Sequence, residues 1–313
     1  MPRIRLGYVA MSLNLHDASP SGTVTLKTLS KLDTKQAKAR KLKNTVVKNL
    51  VNTKRILTHN IAHHIDVYRF SSKLVPLATY FEEPPFSYSQ CRTQFQEIGN
   101  LVLQHHLRVS FHPDHFTVLS TPSDEILEKT IKDLNHHHNM LNLMGLTDKK
   151  YALVLHLGGK YDSKEKAKQR FCDHFKRLPP AVSERIILEN DDKVYHAEDV
   201  LEVCRHLQVP FVFDAHHHFC NGCSISFPKL LDDIFQTWDK TGFPPKIHFS
   251  TPKDGKNLRA HSNYIHTQSF LDFLDILKEL GQDADIMLEA KAKDSALFRL
   301  LENIGQKKPS FDI

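Results

Sequence analysis

Short apolar runs and longer amphipathic segments alternate along the whole chain. The first run is Ile4-Arg-Leu-Gly-Tyr-Val9. Seven more follow: Val67-Tyr-Arg-Phe70, Leu107-Arg-Val-Ser-Phe-His112, Tyr151-Ala-Leu-Val-Leu-His156, Arg185-Ile-Ile-Leu-Glu-Asn190, Phe211-Val-Phe-Asp214, Lys246-Ile-His-Phe-Ser250 and Asp285-Ile-Met-Leu-Glu289. Runs this short and this apolar predict strands buried on both faces, as in a parallel sheet covered by helices. Between the first two, Val46, Val47, Leu50, Val51, Ile56, Leu57 and Ile61 form one apolar stripe and predict a helix over 34–64. Further helices are predicted over 90–105, 124–144, 163–177, 197–206, 227–238, 268–280 and 294–304. Thr121-Pro-Ser123 supplies an N-cap neighbourhood for the third of these eight. Residues 13–32 and the Pro-rich turn at 82–85 read as loops.

Eight strands alternating with eight helices predict an α/β fold of the (βα)₈ TIM-barrel type. The expected organisation is one domain over residues 1–313, with a C-terminal tail from about 305. A doubly wound open sheet is the structural alternative, but its glycine-rich phosphate loop is absent.

Composition narrows the picture only a little. Apolar residues make up 40% and charged residues 25%, as in ordinary soluble proteins. The net charge of +6 is compatible with a polyanionic partner without requiring one. Five cysteines, sparse and odd in number, with no secretory signal core, fit a reducing cytoplasm. Cys220-Asn-Gly-Cys223 is a lone C-x-x-C with no second pair to complete a four-cysteine zinc site. No stretch approaches the ~18 apolar residues of a membrane span.

The 21 histidines change the picture more. In a (βα)₈ barrel the catalytic groups sit at the C-terminal ends of the strands. Those ends here carry His112, His156, Glu189, Asp214, His248 and Glu289, and His261 lies in the loop after the seventh strand. Burying so many polar groups without partners would cost roughly 1–3 kcal/mol each, and bound metal offsets that cost. One ion takes three or four protein ligands, so this set offers enough for two or three. After Asp214 comes His216-His217-His218; simple strand alternation puts His216 on the face of the acid. Multi-ion sites of imidazole and carboxylate usually hydrolyse phosphate esters or amides. The competing chemistry on such a barrel is metal-dependent sugar isomerisation or epimerisation. A non-catalytic DNA-binding module with structural metals is a third reading.

The motifs Arg5-Leu-Gly-Tyr8, Tyr68-Arg-Phe-Ser-Ser72 with Pro76, Ser110-Phe-His-Pro113, Val154-Leu-His-Leu-Gly-Gly159, Leu188-Glu-Asn-Asp191, Asp214 with His217-His218, Lys246-Ile-His248, Ala260-His261 and Leu288-Glu-Ala-Lys291 occur in order along nearly the entire chain. Together they resemble the UV damage endonucleases of bacteria and fungi, barrels related to endonuclease IV. The resemblance implies a DNA repair enzyme that hydrolyses the phosphodiester directly 5′ of UV photoproducts in duplex DNA and leaves a 3′-hydroxyl. It implies a divalent cluster of two or three ions, manganese above all, activating water for in-line attack. It carries over as ligands His112, His156, Glu189, Asp214, His217, His248, His261 and Glu289. Here the family spacing selects His217 over His216. Lys246 resembles a carboxylated lysine at the metals, and Glu189, Lys246 and Glu289 carry the chemistry. The residues after the third-strand histidine enter the DNA as a probe. Bacterial members more often read Pro-Gly-Gln-Tyr there, and this chain reads Pro113-Asp114-His115-Phe116. Tyr8, His115, Phe116 and Lys291 are expected to face the DNA. A monomer in the cytoplasm, with no membrane partner, completes the expectation.

Overall fold

The structure, a computed structural model, describes all residues 1–313. Eight parallel strands form the barrel: β1 (Arg3–Val9), β2 (Val67–Arg69), β3 (Arg108–Phe111), β4 (Ala152–His156), β5 (Ile186–Glu189), β6 (Phe211–Asp214), β7 (Lys246–Phe249) and β8 (Ala284–Leu288). They pair in sequence order, and β1 pairs with both β8 and β2, which closes the ring. The expected single-domain TIM barrel is therefore the observed one. Closure brings β1 and β2 so close that a Cβ on Gly7 would lie 2.2 Å from the Val67 carbonyl oxygen. Only glycine fits there.

The helices are α1 (Leu26–Ser30), α2 (Lys35–Ala62), α3 (Arg92–Gln104), α4 (Asp124–Leu143), α5 (Lys164–Phe175), α6 (Pro180–Ser183), α7 (Ala197–Leu207), α8 (Ala215–Cys220), α9 (Phe227–Phe235), α10 (Thr267–Leu280) and α11 (Lys293–Asn303). Side chains of Thr34 and Ser123 cap α2 and α4 by accepting the Ala37 and Ile126 amides. The loop expected over 13–32 contains the short α1. The expected tail ends in a ninth strand, β9 (Ser310–Asp312), antiparallel to the first half of β1. The cause is geometric. The three residues of β2 pair only with Gly7–Val9, which leaves the Arg3–Arg5 edge of β1 open for β9 to cover.

Strand alternation divides the core in two. Leu153, Leu155, Ile186, Leu188, Phe211, Phe213, Ile286 and Leu288 belong to one large cluster packed against the helices. Strand residues of the opposite parity belong to two small clusters inside the barrel: Ala152, Val154, Ile187 and Val212, joined by Trp238 from the turn after α9, and Val9, Val67 and Met287. Following the inward parity along each strand leads upward to Arg69, His112, His156, Glu189, Asp214, His248 and Glu289. Following it downward leads to Arg5, Arg108, Lys246 and Asp285. The interior thus has a polar mouth, an apolar middle and an ionic floor. At the floor, buried Asp285 receives Arg5 through Nε and Nη2, both at 2.6 Å, and Arg108 through Nη1 at 2.5 Å.

Candidate metal centre

At the mouth, Glu189 is the hub. Its Oε2 lies 2.8 Å from His112 Nε2 and 3.6 Å from His156 Nε2. Its Oε1 lies 2.7 Å from His248 Nδ1 and 3.7 Å from His217 Nδ1. Two groups of donors share this carboxylate: His112, His156 and Glu189, and Glu189, Asp214, His248 and Glu289. Within each group the donor atoms lie within 4.8 Å of one another. His217 Nδ1 is 3.6 Å from Asp214 Oδ2, and His261 Nδ1 is 3.9 Å from Glu289 Oε2. The structure therefore brings seven of the eight expected ligands into direct contact around Glu189, Asp214 and Glu289, with His261 at their edge. The His248 imidazole, with His156 and hydrogen bonds from His112 and His248, holds the Glu189 carboxyl well below its usual range against the opposing effect of burial. Asp214 behaves oppositely. Burial, with Glu189 and Glu289 nearby, pushes it up to about 7 although His217 pulls it down.

The local geometry suits cations. Four of the histidines turn Nδ1 toward a backbone carbonyl: His112 to Pro113 at 3.1 Å, His156 to Glu189 at 3.4 Å, His217 to Asn190 at 2.9 Å and His261 to Glu289 at 2.7 Å. Donating that N–H turns Nε2 inward as the atom a metal would take, the usual arrangement of metal-ligating histidines; in His112 that Nε2 faces Glu189 Oε2. Asp214 Oδ2 and His248 Nε2 are buried with no hydrogen-bond partner. Other buried histidine nitrogens also lack a partner, but these two atoms belong to donor-group residues, where a cation would satisfy them. Nitrogen and oxygen donors without sulfur suit manganese or zinc. The donor set thus fits a divalent ion.

The run His216-His217-His218 is resolved by secondary structure. Strand β6 stops at Asp214, which becomes the N-cap of α8 and accepts the His217 amide at 2.7 Å. Past that point the period is helical, so His217, at position i+3, returns to the acid and His216 does not. His216 instead points Nε2 at Cys220 Sγ, 3.9 Å away. His218 packs on Phe213 and Phe227. Cys220 faces the Leu258 carbonyl while Cys223 lies beside Glu198, so the two thiols face different neighbours.

Of the other expected residues, Tyr8 and Lys246 lie away from the donor groups, and His115, Phe116 and Lys291 are exposed. Tyr8, expected to face DNA, is fully buried on the outer parity of β1, with its hydroxyl donating to Asn60 Oδ1 of α2 at 2.6 Å. It forms part of the barrel-to-helix core and does not reach the mouth. Lys246 opens β7 at the floor, where its Nζ donates to Ser110 Oγ at 2.9 Å. It is not among the grouped donors. Burial, with Arg108, Arg69 and Arg5 nearby, holds its amine well below the usual lysine range despite Asp285. His115 and Phe116 are exposed at the tip of a turn closed by the Thr117 amide donating to Asp114 O at 2.9 Å. Thr117 Oγ1 is in turn tied to Asp133 at 2.7 Å, so the pair is carried on an anchored tip. Lys291 is exposed just beyond β8.

Sequence reasoning missed two residues that contact the donor groups. Arg69, on the inward parity of β2, pairs with Glu289 and holds that carboxyl low although burial opposes it. Asn190 clamps the ends of β5 and β6 by accepting the Asp214 amide at 2.8 Å and donating to the Asp214 carbonyl at 2.9 Å. Parity along β2 would have found Arg69, and both residues fall in the motifs Tyr68-Arg-Phe-Ser-Ser72 and Leu188-Glu-Asn-Asp191. A cavity of about 630 Å³ lies at the other end of the barrel, lined by Arg108, Trp238 and Lys246 among others. Neither donor group lines it.

The chain matches the family model described as UV-endonuclease UvdE over residues 4–310. It is 43% identical over 299 residues to a protein of Bacillus mycoides (strain KBAB4) named UV DNA damage endonuclease, covering 95% of this chain and 93% of that one. Among solved structures it is similar to SacUVDE, with a TM-score of 0.86 and 27% identity over 97% of this chain and 99% of that one. Endonuclease IV from Thermus thermophilus, 13% identical with a TM-score of 0.57 over 96% of this chain and 98% of that one, shares the fold.

Proposed function

The chain belongs to the UV-endonuclease UvdE family and is a DNA endonuclease of UV-damage repair, and from that premise we propose that it cuts damaged duplex DNA directly 5′ of pyrimidine dimers and 6-4 products by metal-dependent hydrolysis, leaving a 3′-hydroxyl. The observation that carries the metal dependence is the pair of donor groups sharing Glu189, with Asp214 Oδ2 and His248 Nε2 of the second group buried and unpartnered. In this reading His112, His156, Glu189, Asp214, His217, His248, His261 and Glu289 hold two or three divalent ions, manganese above all. Bound there, such ions supply Lewis acidity that sharpens water as a nucleophile and steadies charge on the departing oxygen.

The side chains do the rest. Four backbone carbonyls fix the imidazoles, and Arg69 offsets the charge of Glu289. The exposed ammonium of Lys291 meets phosphate at the rim. The test is nicking of UV-irradiated supercoiled plasmid. Chelator should abolish it and added Mn²⁺ should restore it. Full-rate nicking by chelated protein would refute the metal dependence.

Lys246 joins this reading as a carbamate. A neutral amine adds CO₂ and gives up one N–H proton to solvent to become the carbamate, and the surroundings of Lys246 keep its amine neutral. The guanidinium groups of Arg108, Arg69 and Arg5 that disfavour the ammonium would favour an anion in its place. Intact mass under native conditions should then rise by about 44 Da, the mass of CO₂, and a density map should show three added atoms on Nζ. A bare amine still donating to Ser110 in the active, metal-loaded enzyme would remove the idea.

His115 and Phe116 serve damage recognition. A lesion in a stacked duplex must be splayed out to reach a barrel mouth, at a cost of a few kcal/mol that is smaller at a damaged step. Phe116, 62% exposed on an anchored turn, offers a stacking face worth ~1–3 kcal/mol against a base. His115, 5.3 Å from it ring to ring, can hydrogen-bond a base left without its partner. Joint replacement of both by alanine should keep fold and metal content but reduce the preference for irradiated over intact duplex, read by titration at fixed salt. An unchanged preference would place recognition elsewhere.

A further inference from the structure

Helix α2 and the residues just before it carry more positive charge than the entire chain has to spare. Between Leu26 and Lys48 there are eight lysines and arginines against one acid, Asp33. That segment is seven units positive in a chain that totals +6, so everything else together is one unit negative. The 28 residues of α2 contain no aspartate or glutamate at all. Lys48 and Lys54 find acids on neighbouring segments, Asp17 at 3.6 Å and Glu97 at 2.9 Å. Lys35, Lys38, Arg40, Lys41 and Lys43 find none within ion-pair distance; four are exposed and Lys38 is half-buried. Three of them follow each other at helical spacing, Lys35, Lys38 and Lys41, so like charges are neighbours on the helix surface. The first turn, where a helix favours acids, holds none. In the free protein each of these placements is unfavourable, which is the pattern of a surface organised for a polyanion.

Topology puts this ridge on the catalytic side. The C-terminal end of α2, Ala62, lies four residues before β2 starts, at the floor of the barrel. The helix is about 42 Å long at 1.5 Å per residue, against about 16 Å for the 11-residue α7 and α11. Its first turns therefore stand at the rim of the mouth. Leu42 and Val46 there share a small cavity with Val75, Pro76 and Phe86 of the loop that leaves β2 at its mouth end.

We propose that the first nine residues of α2, with Lys27 and Lys31 ahead of them, bind phosphates of the substrate duplex beyond the lesion, a sequence-independent anchor separate from the metal centre. The inference rests on the reading of the mouth as a site for duplex DNA. Ammonium and guanidinium groups that replace the counterions of phosphates make binding salt-dependent, with about 0.9 added to the slope of log K against log salt for each contact.

The test uses the full chain with Lys35, Lys38, Arg40, Lys41 and Lys43 all changed to glutamine, none of which has an ion pair to lose. Binding to intact and to irradiated duplex of the same sequence is titrated over a salt series. The slope should become shallower by about 3 to 4.5, and affinity at low salt should fall ~100-fold or more for both duplexes. Their ratio and kcat on irradiated DNA should stay at the wild-type value while KM rises. A wild-type slope and KM in the variant would overturn the proposal, as would a loss confined to irradiated duplex. Should wild-type protein fail to prefer irradiated DNA, the reading of the mouth fails. The comparison of slopes on intact duplex still decides the anchor.

Discussion

Glu189→Gln is expected to lower the rate of nicking of irradiated DNA by at least ~10³-fold while leaving the barrel folded. Glutamine keeps the volume and hydrogen-bonding shape of the side chain, so the change isolates charge and ligand character. Glu189 is the one carboxylate common to both donor groups, and four imidazoles lie within 3.7 Å of it. Its replacement by an amide turns one anionic oxygen into an NH₂ donor that cannot bind a cation and repels imidazole N–H groups. Metal contributes several kcal/mol to a hydrolytic transition state, and each 1.36 kcal/mol is a factor of ten in rate. The measurements are initial nicking rate, metal content of the purified protein and the far-UV circular dichroism melt. A variant that nicked at the wild-type rate with full metal content would take Glu189 out of the centre. Loss of activity with a collapsed melt would require Glu189→Asp as the better-tolerated comparison.

Asp285→Ala is expected to destabilise the protein by about 3–5 kcal/mol, the usual result of leaving buried charge unpaired. Asp285 is buried at the floor between Arg5 and Arg108, and Arg108 also stacks over Trp238 with its guanidinium carbon 5.1 Å from the ring centre. Removal of the carboxylate leaves Arg108 with only the Pro244 carbonyl at 2.7 Å as a hydrogen-bond acceptor, while Lys246 remains nearby. For a chain of this size the melting temperature should drop by roughly 5–10 °C. The pH dependence has a definite sign. Although burial opposes it, Arg108 and Arg5 hold the Asp285 carboxyl below its ordinary 3.8. Its stabilisation is therefore fully present above about that pH and is lost as pH falls through the lower folded value. The variant should show a flatter acid limb than wild type in melts taken from neutral pH downward. Equal melting curves at pH 7 would mean that water or the nearby cavity already solvates the two guanidinium groups.

These two residues mark what could be read from the chain alone. Glu189 was legible because the short apolar run Ile186-Ile-Leu188 leads into an acid, and a strand end in such a barrel is a place with a known orientation. The same logic found His112, His156, Asp214, His248 and Glu289. Asp285 was read only as the start of the eighth strand. Its partner Arg108 is 177 residues away, and Lys246 reaches across 136 residues to Ser110.

Periodicity along the chain reports which face of an element is buried, because burial repeats every two residues in a strand and every three or four in a helix. It fixed the barrel, the order of its strands and the positions of its polar ends. It also contained, unread, the answer for Tyr8, whose even parity on β1 sends it outward to Asn60 while Gly7 and Val9 face in. The choice between His216 and His217 depended on where one strand gives way to a helix, a boundary set by Asp214 capping α8 rather than by any apolar pattern. Which charges meet inside the barrel was decided by closure alone. The ring sets side chains from opposite strands against one another, and no local signal encodes a partner that only the closed sheet brings within hydrogen-bonding distance.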